Sequence, residues 1–189
     1  MQRQRVSIIY ESSDAYTAQA AQVLGESLAT GVMSVTLQSA ASPDFVVIAE
    51  ADLVVFGCRT SFGSVSASFK RFMESTQEFW YRQPWKDKLA AAFTVSPSTS
   101  GDKLNTLQTL ALFAAHHSMQ WVSVGVLPRF INGEQTEGQN RFSSFLGVML
   151  QSCDNEDMLF HPGDLLTLEL FANRLCDVLN HSQLNHNKS

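Results

Sequence analysis

The sequence predicts an α/β domain in which a five-stranded parallel sheet carries helices on both faces. Three observations predict it. Five short runs rich in β-branched and aromatic residues alternate with segments of helical period. Two of those runs, 52–57 (DLVVFG) and 88–95 (KLAAAFTV), are almost continuously apolar, as strands covered on both faces of a parallel sheet are. No internal repeat or linker divides the 189 residues, so a single domain over 1–181 with a polar tail over 182–189 is expected.

The elements follow in order. Residues 6–10 (VSIIY) form the first strand, and the turn formers Glu11, Ser12, Ser13 and Asp14 end it. From Tyr16 the period changes: Ala20, Ala21, Leu24 and Leu28 recur at helical spacing until Gly31. Residues 34–37 give a second strand, and Pro43 opens a short helix to about Ala49. The run 52–57 is the third strand, and Val65, Phe69 and Phe72 mark the helix after it. The fourth strand is 88–95; Leu104, Leu107, Leu110, Ala111 and Ala114 trace the next helix. Residues 121–126 give a fifth strand, and Leu165, Leu168, Phe171, Leu175 and Val178 a final helix. Between them, 128–162 shows no sustained period; a stretch that long is expected to be a functional loop or a subunit contact.

Composition narrows the function. Thirteen basic and eighteen acidic residues give a net charge of −5 with no basic block, which argues against nucleic acid or an anionic membrane as partner. Charged residues make up 16% of the chain, below the roughly 25% of ordinary domains, so part of the surface is expected to meet a ligand or another subunit. No apolar run reaches the ~20 residues of a membrane span, and the N-terminus lacks a signal-peptide core. Cys58, Cys153 and Cys176 are odd in number and form no CxxC pair, so neither a disulfide framework nor a metal site is expected, and a reducing cytoplasm is the economical location.

In open parallel sheets ligands sit beyond the carboxyl ends of the strands. Three loops therefore carry the functional question: 11–17, 58–64 and 95–102. The first joins hydroxyls and free amides to a helix start, which suits a phosphate, although ordinary capping by Ser or Asp explains the same residues. It is neither a GxxxxGK[ST] loop nor a GxGxxG turn. In the second, Gly63 admits a flat ligand close to the backbone. The third is flexible and rich in hydroxyls.

The segments SIIYESSDAYTAQAA, ADLVVFGCRTSFGSVSASFKRFMEST, KLAAAFTVSPSTSG and AAHHSMQWVSVGV, with Trp80 between them, resemble the WrbA family. These are flavodoxin-like, FMN-binding NAD(P)H:quinone oxidoreductases, akin to NADPH-dependent FMN reductases. The resemblance implies strand order 2-1-3-4-5, non-covalent FMN, NAD(P)H as reductant, two-electron hydride transfer to a quinone-like acceptor, and a homodimer or homotetramer. It implies that the FMN phosphate lies on Glu11, Ser12, Ser13, Asp14, Ala15 and Tyr16, with Thr17 at the edge. The isoalloxazine would lie against Thr60, Ser61, Phe62 and Gly63, bordered by Val95, Ser96, Pro97, Ser98, Thr99 and Ser100. His116 would stand beside the flavin as a catalytic residue, and Trp80 would wall the acceptor pocket, often from a neighbouring subunit.

The chain departs from that pattern at several positions. Glu11 stands for a serine, Asp14 for a glycine and Ala15 for a histidine, which brings two carboxylates to a phosphate loop; Asp14 is expected to cap the helix or face solvent instead. Arg59 replaces a proline and adds a charge within reach of phosphate or a carboxylate. Arg141 is the one charge in 140–145 that a nicotinamide dinucleotide phosphate would meet. His116 and His117 also read as a helix-end dipole partner and a packed residue, Trp80, Tyr81 and Trp85 as a surface cluster, Phe62 as core filler, and Cys58 as an inert core thiol. Two rival functions remain at this point: a one-electron flavodoxin carrier, and a degenerate relative that binds no flavin and acts in protein interaction.

Overall fold

A computed structural model describes residues 4–29, 33–153 and 158–186. The chain runs β1 (Gln4–Tyr10), α1 (Ala15–Ala29), β2 (Met33–Ser39), α2 (Phe45–Glu50), β3 (Leu53–Ser61), β4 (Ser64–Val65), α3 (Ala67–Ser75) and α4 (Gln77–Arg82). It continues through β5 (Leu89–Ser96), α5 (Lys103–His116), β6 (Gln120–Trp121), β7 (Phe130–Ile131), β8 (Glu134–Gln135), β9 (Val148–Gln151) and α6 (Pro162–His186).

The sheet order is β2-β1-β3-β5-β6, with every neighbour parallel, which is the doubly wound arrangement expected. Each residue of β5 is buried, and so are Leu53 to Cys58 of β3, because helices cover both faces. Neighbours in sequence face opposite layers. Ile8, Val55 and Phe93 pack with Leu24, Leu28, Leu168, Phe171 and Leu175 of α1 and α6. Ile9, Val54 and Phe56 pack with Phe69, Phe72, Trp85, Leu110 and Phe113 on the α3/α5 side. There the rings of Phe56, Phe69, Phe72 and Phe113 meet edge-on or tilted at centroid distances of 5.3–6.5 Å, contacts worth about 0.5–1.5 kcal/mol each beyond their burial.

The fifth position of the sheet departs from the sequence reading. Of the expected strand 121–126 only Trp121 joins the ladder, opposite Ala90, together with Gln120 before it, opposite Leu89. Val122 still donates to Ala90 O, but the Val124 amide turns to Phe145 O, and Gly125 takes a positive φ of 65°. The chain then makes the β7–β8 hairpin and returns as β9, which pairs parallel with Phe93 to Ser96. The stretch 128–162 thus holds a hairpin and half of a split strand. Four residues of β9 are too few to display a period of their own. At the other end, α6 continues to His186, beyond the expected start of the polar tail at 182; residues 187–189 lie outside the described residues. Among the described residues no helix is long and apolar enough to cross a membrane.

Gly57 of β3 lies against the Phe93 ring of β5. A Cβ there would stand 2.2 Å from Cζ of Phe93. Gly57→Ala is therefore expected to destabilise the fold by about 1–3 kcal/mol, read as a lower urea midpoint with an unchanged slope.

Candidate functional site

The three loops converge. A cleft of about 380 Å³ opens at the carboxyl edge of the sheet, lined by Asp14, Tyr16, Arg59, Thr60, Ser61, Val95, Ser96, Pro97 and Ser152. That volume lies within the roughly 300–1,000 Å³ of small-molecule sites.

In the first loop Asp14 caps α1: its carboxylate accepts from the Thr17 amide at 2.8 Å and from Thr17 Oγ1 at 2.6 Å. The amides of Ser12, Ser13, Ala15 and Tyr16 find no acceptor among the described residues. These four N–H groups surround the positive end of a 15-residue helix, where an anion is stabilised. Two expectations need correction. Glu11 is not on the rim; it is buried, and its carboxylate accepts from Ser68 Oγ at 2.6 Å and the Arg59 amide at 3.3 Å. Arg59 Nε lies 3.4 Å from it. Thr17 is likewise buried beneath the loop, held by Asp14.

In the second loop Phe62 and Gly63 form a two-residue hairpin turn between Ser61 and Ser64, with φ of 48° and 76°. Both values belong to the left-handed region that such a turn demands, and a phenylalanine there is strained. Its ring is fully exposed rather than core filler. Asn105 Nδ2 holds the turn by donating to Gly63 O at 2.6 Å. The Thr60 hydroxyl is bound inward to Thr94 and Thr106 at 2.9 and 2.8 Å, so only the backbone of Thr60 is free to meet a ligand. Cys58 is buried, and burial followed by the Glu11 charge pushes its thiol well up, which keeps it inert.

In the third loop Val95 and Ser96 end β5 as buried residues, while Pro97, Ser98, Thr99 and Ser100 are exposed. Lys103 fastens this rim, and nothing in the sequence pattern marked it, because a lysine at a helix start next to Asp102 reads as an ordinary surface charge. Its side chain is fully buried, and Nζ donates to Ser98 O at 2.7 Å and Leu150 O at 3.1 Å and lies 4.2 Å from the Phe142 ring centroid. Burial pulls Lys103 down to about 8; Asp164 raises it and Arg141 lowers it by lesser amounts. Arg141 is not available to a dinucleotide phosphate. It donates to both oxygens of buried Asp164 at 2.7 and 3.2 Å, and also to Gln151 and Glu137. A larger groove of about 860 Å³ runs along Leu104, Gln108, Phe142, Phe145 and Met149. Its one basic residue is this committed Arg141 and Asp102 adds a carboxylate to its lining, whereas Arg59 in the smaller cleft keeps free donors, so the smaller cleft is the stronger anion site.

Trp80 and His116 stand elsewhere. A helix that follows a strand begins at the carboxyl edge of the sheet and ends at the opposite edge. The 14 residues of α5 rise about 20 Å between Lys103 and His116. Within one chain neither Trp80 nor His116 touches the cleft; they line a separate hollow with Met73, Thr76, Gln77 and His117. His116 Nδ1 bonds Leu112 O at 2.8 Å. His117 is buried against Thr76 Oγ1 at 3.0 Å, and burial, followed by the His116 charge, lowers it to about 4. Trp85 is a core residue rather than part of a surface cluster, whereas Trp80 and Tyr81 are exposed with their rings 4.6 Å apart.

Residues 47–129 match the protein family described as NADPH-dependent FMN reductase. The chain is 28% identical over 173 residues to Flavodoxin FldP of Pseudomonas aeruginosa, covering 90% of this chain and 94% of that one. It is 30% identical over 100 residues to the NAD(P)H dehydrogenase (quinone) of Geobacter sulfurreducens, covering 53% of this chain and spanning only 45% of that relative's length. Among solved structures, the WrbA-like flavodoxin from Agrobacterium tumefaciens superposes with a TM-score of 0.72 at 28% identity, over 94% of this chain and 98% of that one.

Two stability measurements check this geometry. Asp14→Ala removes the cap of α1 and is expected to cost about 1 kcal/mol in urea unfolding. For Lys103 the unfolded chain keeps its proton up to the ordinary 10.5 while the folded chain releases it near 8. Between those values the unfolded state binds more protons, so this group makes stability rise with pH by up to about 1.4 kcal/mol per unit. Lys103→Met is expected to lack that rise; equal slopes of stability from pH 7 to 10 in both proteins would refute the assignment.

Proposed function

Because residues 47–129 match the NADPH-dependent FMN reductase family and the chain is similar to a WrbA-like flavodoxin along nearly its whole length, we propose that it is a WrbA-like flavodoxin-fold protein and that the cleft at the ends of β1, β3 and β5 holds FMN non-covalently. On this reading the protein is an oxidoreductase that takes two electrons from NAD(P)H and passes them to a quinone or similar small acceptor. One observation carries it: open amides at the start of α1 stand beside a cleft whose lining, Asp14, Tyr16, Thr60, Ser61, Val95 and Pro97 among it, comes from the turns after β1, β3 and β5.

The residues fit the group. The amides of Ser12, Ser13, Ala15 and Tyr16 and the dipole of α1 take the phosphate without a lysine. The Asp14 carboxylate is turned onto Thr17, which draws its charge away from the open amides. Phe62 offers a flat apolar face on the exposed turn next to Ser61, and Ser61, Val95, Ser96 and Pro97 border the cleft itself. FMN itself supplies the redox chemistry when bound. Self-association as a homodimer or homotetramer belongs to the same reading, since exposed Trp80 and His116 reach a cleft only in another copy.

A second reading is supported by the likeness to Flavodoxin FldP along nearly its whole length: a carrier that moves electrons singly between proteins. Reductive titration separates the two, because the oxidoreductase takes up two electrons in one step and the carrier in two resolved steps. The central test is colour. Purified protein given excess FMN and desalted is expected to be yellow, and Ser13→Glu to be colourless with an unchanged circular dichroism spectrum. A wild-type protein that stays colourless overturns the proposal.

A further inference from the structure

We infer that Arg59 reads the phosphate charge in this cleft and so makes the protein select FMN over riboflavin, an inference that rests on the FMN reading above. The chain itself builds the arrangement. Tyr10 pairs with Gly57, so the first residue beyond β1 lies beside the end of β3, and the Glu11 amide donates to Gly57 O at 3.0 Å. Glu11 is thereby buried with three donors around its carboxylate: Ser68 Oγ, the Arg59 amide and Arg59 Nε. A buried carboxylate requires such partners.

The consequence for Arg59 is orientation. Its Nε is turned to Glu11, while its two terminal amino groups have no partner among the described residues. The side chain remains 52% exposed and is the one basic group among the residues lining the cleft, together with Asp14 and Tyr16. A guanidinium fixed at one edge presents a planar fork to a phosphate, which a lysine cannot reproduce. Without it, a dianion would stand beside Asp14 with no cation in the lining.

The test is a pair of titrations with FMN and riboflavin, followed by flavin fluorescence at low and high salt. Arg59→Gln is expected to weaken FMN about tenfold or more while changing riboflavin less than about twofold. FMN affinity of the wild type should fall with salt and that of the variant should not, and Arg59→Lys should restore part of the preference. Riboflavin serves as the control for folding. Equal losses for both flavins would mean that Arg59 holds the ring or the loop instead, and no loss for either would mean that it holds nothing; each overturns the inference alone. A wild-type protein that binds neither flavin overturns the FMN reading with it.

Discussion

The ladder between β3 and β5 is the constraint on which the molecule depends. It runs in register from Leu53 opposite Leu89 to Arg59 opposite Val95, buried above and below. A sheet centre covered on both faces requires crossovers that carry the helices, and these crossovers have one hand. Every helix that follows a strand therefore starts at the same edge. That edge gathers the turns after β1, β3 and β5 and the start of α1, and the opposite edge receives the end of α5 with His116. The place of the cleft, and the absence of Trp80 and His116 from it within one chain, follow from this single arrangement.

A second set of interactions lets the chain leave the sheet after Trp121 and return at Val148. Asp164 at the start of α6 accepts from Arg141 and from the Gln151 amide. Asn140 Nδ2 binds the carbonyls of Val126 and Ser144, and Trp121 Nε1 binds Leu146 O. Lys103 joins the end of β9 to the 98–100 rim. Buried charged groups of this kind contribute little net stability but penalise any other arrangement, because a displaced partner leaves an unpaired charge inside. The excursion is thus pinned where it supports the rim of the cleft.

Charge in the cleft is managed by direction more than by number. Asp14 is turned onto its own helix, Glu11 is turned inward to Ser68 and Arg59, and the amides that remain are open. Two acids beside the open amides thereby become a cap and an anchor.

Periodicity and continuous apolar runs made the strands, the helices and the three loops legible, because burial on one or two faces leaves a repeat in the residues themselves; the order of the strands in the sheet came from the family resemblance. The same reasoning placed Ser12, Ser13, Ala15 and Tyr16 at a helix start. It did not reach the split fifth strand, since β9 is four residues long and its pairing with β5 is a contact across more than fifty positions of chain. Nor did it reach the roles of Glu11, Thr17 and Lys103, although it did put Arg59 within reach of a carboxylate, which the structure identifies as Glu11. Sequence by itself determined which residues are apolar, which turns can bend, and hence the layers of the fold. Only the tertiary structure decided which way each polar side chain faces, because a charge takes its direction from partners that the chain brings beside it by folding.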